Sequence, residues 1–176
     1  MNLPTWITVS RLLGVPFLLY LLYQPSERTR WVALVIFLVA AGTDWVDGYL
    51  ARRLNQVTDL GKFLDPLVDK LLVLAPFLSF IDLGQVPAWG VFLILSRELA
   101  IAGWRVNQPK ISGANLWGKL KTVSQIAAIA LLIAPPLAQS IVAQSAFWLS
   151  VSLTLISGVI YLVPSSPAPQ EQIDAS

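Results

Sequence analysis

The sequence predicts an all-α integral membrane protein, a six-transmembrane-helix bundle. Three observations carry that expectation. Of 176 residues, 56% are hydrophobic and only 12% are charged, and the mean hydropathy of +0.68 is well above that of a soluble domain. The apolar residues fall into six stretches, most of them near the ~20 residues that a span requires. Short polar or Pro/Gly-containing connections separate them.

The stretches follow in order. Trp6–Tyr23 is the first, with Pro4 just before it, where a missing N–H costs nothing. Thr8, Ser10 and Arg11 make its first turns polar. Arg11 and the lack of a small-residue cleavage site mark it as a retained helix rather than a removed signal. Gln24–Arg30 reads as a polar loop and Trp31–Arg53 as the second helix. Leu54–Asp59 is a turn, and Leu60–Ile81 is the third helix. Asp82–Pro87 is a Gly/Pro loop. Ala88–Trp104 is the fourth helix, interrupted by Ser96-Arg97-Glu98. A basic connection runs from Arg105 to Asn115. Trp117–Ile133 is the fifth helix, ended by Pro135-Pro136, and Ile141–Val163 is the uncharged sixth. Residues 1–164 read as one transmembrane unit, and the Pro/Ser-rich segment 165–176 reads as a disordered tail. Tryptophans near helix ends, such as Trp31 and Trp89, suit an interfacial belt.

Composition also excludes chemistry. No cysteine is present, so disulfides, zinc–thiolate sites and thiol nucleophiles are ruled out. No histidine is present, so a general base must be a carboxylate, lysine or tyrosine. The net charge of +2 offers no footprint for nucleic acid. Basic residues instead gather on one side of the spans. With the N-terminus inside, Arg11, Arg52, Arg53, Lys62, Arg105, Lys110, Lys119 and Lys121 fall on the cytoplasmic side, and Arg28 and Arg30 opposite.

The stretch from Thr43 to Lys70 concentrates the acidic residues. Asp44 and Asp47 stand at i,i+3, and Asp65 and Asp69 at i,i+4, so each pair shares a helix face. Both pairs lie at the cytoplasmic ends of their helices. A single pair is as readily a solvated helix end as a site. Two pairs, with Gly48, Ala51, Arg52 and Gly61 at set spacing, are not. Carboxylates gathered at a bilayer are costly unless cations neutralise them, and divalent metal with oxygen ligands meets that need.

The full pattern is D-x2-D-G-x2-A-R-x8-G-x3-D-x3-D, occupied by Asp44, Asp47, Gly48, Ala51, Arg52, Gly61, Asp65 and Asp69. It resembles the signature of the CDP-alcohol phosphatidyltransferase family, and the six-span arrangement is similar too. The resemblance implies transfer of a phosphatidyl group from a CDP-linked lipid to an alcohol at a two-metal Mg2+ or Mn2+ site. It implies Asp44, Asp47, Asp65 and Asp69 as metal ligands, with Asp69 also the base on the acceptor hydroxyl. It further implies CDP-diacylglycerol contacts at Ile7, Thr8, Val9, Ser10, Asp44, Gly48, Ala51, Arg52 and Thr58. Small side chains at Gly48 and Ala51 let a nucleotide approach the backbone, and Arg52 suits phosphate oxygens. Thr58 equally suits the N-cap of the third helix. A homodimer in the inner or plasma membrane, surrounded by lipid and with its active site facing the cytoplasm, is implied as well.

Two further segments bear on the acceptor. Arg97-Glu98 through Arg105 resembles an R-E-x6-R segment of the phosphatidylglycerophosphate synthases within the family, and Gly118 through Gln125 resembles their G-K-x-K-T-x-x-Q segment. Arg97, Arg105, Lys119 and Lys121 would then form a basic pocket for an acceptor with its own phosphate, sn-glycerol 3-phosphate. The bland reading of Arg105, Lys119 and Lys121 is the inside-positive rule alone. Two other functions stay open: a sibling synthase for cardiolipin or phosphatidylinositol phosphate, and a divalent-cation carrier. A carrier would need a charged path across the bilayer, and the sixth helix has none.

Overall fold

A computed structural model describes residues 3–54, 59–106 and 116–162, with side chains described at 10–43, 67–104 and 116–161. Six α-helices follow in order: α1 (Leu3–Tyr23), α2 (Glu27–Leu54), α3 (Asp59–Asp82), α4 (Ala88–Val106), α5 (Leu116–Ile133) and α6 (Ile141–Leu162). No strand occurs among the described residues. The expected tail at 165–176 lies outside them.

The boundaries are set by caps that hydropathy does not register. α2 starts at Glu27 rather than at Trp31, so the loop before it is shorter than expected. Ser26 is the reason. Its Oγ accepts from the Thr29 N–H at 3.2 Å, and its own N–H donates to Thr29 Oγ1 at 2.8 Å. These reciprocal bonds satisfy orphan donors at the helix start. α1 likewise begins about one turn early, with Pro4 inside its first turn.

α3 ends in a Schellman motif. The Gln85 N–H donates to Phe80 O at 2.8 Å, and the Gly84 N–H donates to Ile81 O at 3.0 Å. Gly84 sits at φ +66°, the left-handed position that glycine takes without strain. Ser140 caps α6 by accepting from the Ala143 N–H at 3.2 Å.

Long-range contacts fix the directions of the helices. Arg11 in the first half of α1 meets Asp69 in the first half of α3, and with α2 joined to each by a short connection these two run parallel. Gln125 of α5 meets Thr154 of α6 across a short connection, so these run antiparallel. Arg30 at the start of α2 donates to Leu132 O at the end of α5, at 3.1 Å. The starts of odd-numbered helices and the ends of even-numbered ones therefore share one end of the bundle.

The interior is apolar and aromatic. Phe77 packs edge-on against both Phe80 and Phe147, with centroids at 6.2 and 5.6 Å. Leu18, Phe37, Ile94 and Ile129 are also fully buried. The outside is apolar too: Leu13, Val35, Leu78, Phe92, Val123 and Leu149 are exposed, one from each helix. Such a surface suits hydrocarbon rather than water. Among the described residues, Leu116–Ile133 and Ile141–Tyr161 are long and apolar enough to cross a membrane, and Ser10–Tyr23 is a shorter apolar run.

α4 meets α6 at Gly90. A Cβ there would lie 2.8 Å from Cζ of the buried Phe147 ring. Gly90→Ala is expected to cost about 1–3 kcal/mol through overpacking. A lower melting temperature in detergent would check it, and an unchanged one would show that the Phe147 ring yields freely.

Candidate active site

The shared end of the bundle is where the polar residues of five helices converge. Helical register puts Asp44 and Asp47 on one face near the end of α2, and Asp65 and Asp69 on one face near the start of α3. Only residues 55–58 separate these two helices, which pack together. Of this signature, the described side chains include only Asp69. The side chains of Ile7, Thr8, Val9, Asp44, Asp47, Gly48, Ala51, Arg52, Asp65 and Arg105 lie outside the described residues, as does all of Thr58. Ser10 is exposed on α1.

Asp69 is held from α1. Arg11 Nη1 donates to Asp69 Oδ1 at 3.1 Å. The two side chains differ in exposure: Arg11 is 4% exposed and Asp69 is 45% exposed. The guanidinium is therefore a buried anchor, and the carboxylate is the more exposed partner. The sequence signal for Arg11 was a cation inside an apolar helix, which by default marks a structural or functional partner. Its partner, 58 residues away, was not predictable from spacing.

Asp69 opens onto a cavity of about 240 Å³ between α2, α3, α4 and α5. Phe37 and Ala41 of α2 and Leu72 and Val73 of α3 form an apolar wall. Lys70, Glu98, Lys121 and Gln125 supply the polar one. A lining that is mostly apolar with a few convergent polar groups is typical of a small-molecule site.

Glu98 organises the basic side. Its Oε1 accepts from Lys121 Nζ and from Arg97 Nη1 at 3.2 Å. Exposure of all three side chains is low: 8% for Arg97, 13% for Glu98 and 11% for Lys121. Two cations share one carboxylate, so the cluster keeps a net positive charge. Arg97 turns toward α6, where Nη2 donates to Ser157 Oγ at 2.6 Å. Its guanidinium carbon stands 5.8 Å from the centre of the Tyr161 ring, within cation–π range. Gly158 makes room for this path, since a Cβ there would fall 2.9 Å from Arg97 Cγ.

The four cations expected to serve the acceptor are thus differently placed. Lys121 lines the cavity, and Arg97 lies beside it on the same carboxylate. Lys119 is exposed. Residues two apart on a helix do not share a face, which separates it from Lys121. Gln125, also in the cavity wall, donates to Thr154 Oγ1 at 2.9 Å and ties α5 to α6. The residues here that the sequence does not single out as site residues are Arg11, Lys70, Glu98 and Ser157. Glu98 had a signal, its place beside Arg97 in an apolar helix. Ser157 had none.

The chain is similar to known proteins along most of its length. Residues 1–156 match the family model described as CDP-alcohol phosphatidyltransferase. A Bacillus subtilis (strain 168) protein named CDP-diacylglycerol–glycerol-3-phosphate 3-phosphatidyltransferase is 38% identical, over 91% of this chain and 93% of its own length. Relatives of the same name from Shigella flexneri serotype 5b (strain 8401) and Rickettsia bellii (strain RML369-C) are 37% and 33% identical. They cover 92% and 91% of this chain, and 93% of each relative is matched. With the signature intact on α2 and α3 and the family match running from α1 into α6, the chain belongs to the CDP-alcohol phosphatidyltransferase family.

Proposed function

We propose that this protein transfers the phosphatidyl group of CDP-diacylglycerol to sn-glycerol 3-phosphate, forming phosphatidylglycerophosphate and CMP. The observation that carries the reading is the meeting of Asp69, from the intact signature, with Lys121 on one small cavity. A proton acceptor and an anion-binding group then stand together where a phosphorylated alcohol can bind. The names of the relatives support the same acceptor.

The chemistry follows from the residues. The acceptor hydroxyl oxygen attacks the phosphatidyl phosphorus, and a new P–O bond forms. The bond from that phosphorus to the bridging oxygen breaks, and CMP leaves with the electron pair. Asp69 takes the hydroxyl proton, and Arg11 holds its carboxylate in place. The signature's donor set is all carboxylate in a chain without histidine or cysteine, which fits hard cations of the Mg2+ or Mn2+ kind. Asp44, Asp47, Asp65 and Asp69 would hold two such ions, which when bound neutralise the diphosphate and the leaving oxygen. Gly48, Ala51 and Arg52, with Thr58 and the stretch from Ile7 to Ser10, would receive the CDP-lipid. Arg97, Arg105, Lys119 and Lys121 supply positive charge toward the acceptor.

The apolar exterior supports a multi-pass protein with six spans and surrounding lipid. The basic bias of the connections supports an N-terminus and an active site on the cytoplasmic side of the inner or plasma membrane. The unit spans 1–164, with 165–176 as its tail, and works as a homodimer.

The test is CMP release by the purified protein in detergent, with acceptor and metal varied. Release is expected only with both a divalent cation and sn-glycerol 3-phosphate. Release with inositol phosphate or phosphatidylglycerol, and none with glycerol 3-phosphate, would replace the acceptor. No CMP release with any alcohol would remove the transferase reading.

A further inference from the structure

We propose that Lys70, acting with Lys121, cradles the phosphate of the acceptor and so makes a phosphorylated alcohol the preferred substrate. The inference rests on the transferase reading above and adds to it a residue outside the signature. Lys70 follows Asp69 on α3 and lines the same cavity as Lys121 of α5. The two helices pack against each other, so the ammonium groups reach the cavity from different elements.

Their situations differ. Lys121 is neutralised in part by Glu98. Lys70 is only partly exposed, and no described residue forms an ion pair with it. Asp69, its neighbour in sequence, is engaged by Arg11 and is turned from it by the ~100° step of the helix. A partly buried ammonium with no ion-pair partner among the described residues is unfavourable beside a second cation. A dianion bridging both relieves the strain at both ends and gains charge-assisted hydrogen bonds.

The cavity volume is also in keeping with a small anionic substrate. At about 240 Å³ it is smaller than the ~300–1,000 Å³ of sites for drug-sized ligands. It suits a short phosphorylated alcohol better than a lipid headgroup with its chains. With phosphate between Lys70 and Lys121, the hydroxyl end of such a molecule reaches toward Asp69 on the same wall. The geometry therefore separates the roles: one end of the acceptor is gripped by cations, and the other meets the base.

The experiment compares wild type, Lys70→Gln and Lys70→Arg, varying each substrate in turn. For Lys70→Gln we expect KM for sn-glycerol 3-phosphate to rise on the order of tenfold, as for loss of one charge-assisted hydrogen bond, with KM for CDP-diacylglycerol little changed. Lys70→Arg keeps the charge and recovers part of the loss. An unchanged KM for the acceptor overturns the inference. So does a rise confined to CDP-diacylglycerol, which would put Lys70 on the donor diphosphate.

A second measurement uses wild type alone and does not depend on a variant folding. Amine-reactive labelling followed by peptide mass spectrometry should show Lys70 protected by sn-glycerol 3-phosphate and not by glycerol. Equal labelling with both overturns the inference. Wild-type turnover with sn-glycerol 3-phosphate tests the transferase reading separately, so the two failures are distinguishable.

Discussion

Asp69→Asn is expected to lower turnover by roughly 10²–10⁴-fold, the range that a positioned general base contributes. Asparagine is nearly isosteric and keeps an oxygen at the Oδ1 position. The Arg11 guanidinium, 3.1 Å away, can therefore still donate to it, and the α1–α3 contact survives. What disappears is the capacity to accept a proton. The melting temperature and the KM for CDP-diacylglycerol should stay near wild type while kcat falls. Raising the Mg2+ concentration should not restore the rate, which separates a lost base from a weakened metal ligand. Full turnover in the variant would take Asp69 out of the base role. The residue is well placed for it, since its carboxylate is the more exposed end of the pair with Arg11.

Glu98→Gln should be the most destabilising single change at the site. It strips the shared counter-charge from Arg97 and Lys121, whose side chains are 8% and 11% exposed. Breaking a buried pair by removing one partner costs about 3–5 kcal/mol. Here two cations lose one carboxylate, and among the described residues Ser157 and the Tyr161 ring remain to Arg97. The melting temperature in detergent is expected to drop by several degrees. The variant also carries a distinguishing sign. With Glu98 gone, an added anion can take its place, so inorganic phosphate should raise the melting temperature more in Glu98→Gln than in wild type. An equal shift in both would mean that Lys121 does not face the anion site.

Much of this was readable along the chain. Six apolar runs separated by polar connections correspond to the six helices of the described residues. α5 and α6 fall within a residue of their expected bounds, because Pro135-Pro136 and the apolar runs themselves define them. α2 begins a turn before Trp31, which looks like the first membrane residue, because the Ser26–Thr29 cap starts the helix. Hydropathy reports where a segment is apolar. It does not report where backbone donors find partners.

The acidic signature, the likeness it carries and the lack of any histidine or cysteine were properties of the sequence alone. They are local, set by identity and by spacing within a turn or two of helix, and they name the chemistry before any fold is known. Pairings between helices belong to the tertiary structure. Arg11 finds Asp69 across 58 residues, Lys121 finds Glu98 across 23, and Arg97 finds Ser157 across 60. Each depends on how a helix is rotated about its axis. Helices that are apolar on the outside as well as the inside carry little mark of which face turns inward. Only packing at points such as Gly90 against Phe147 and Gly158 against Arg97 settles that rotation. With it comes the small cavity where Asp69, Lys70 and Lys121 meet.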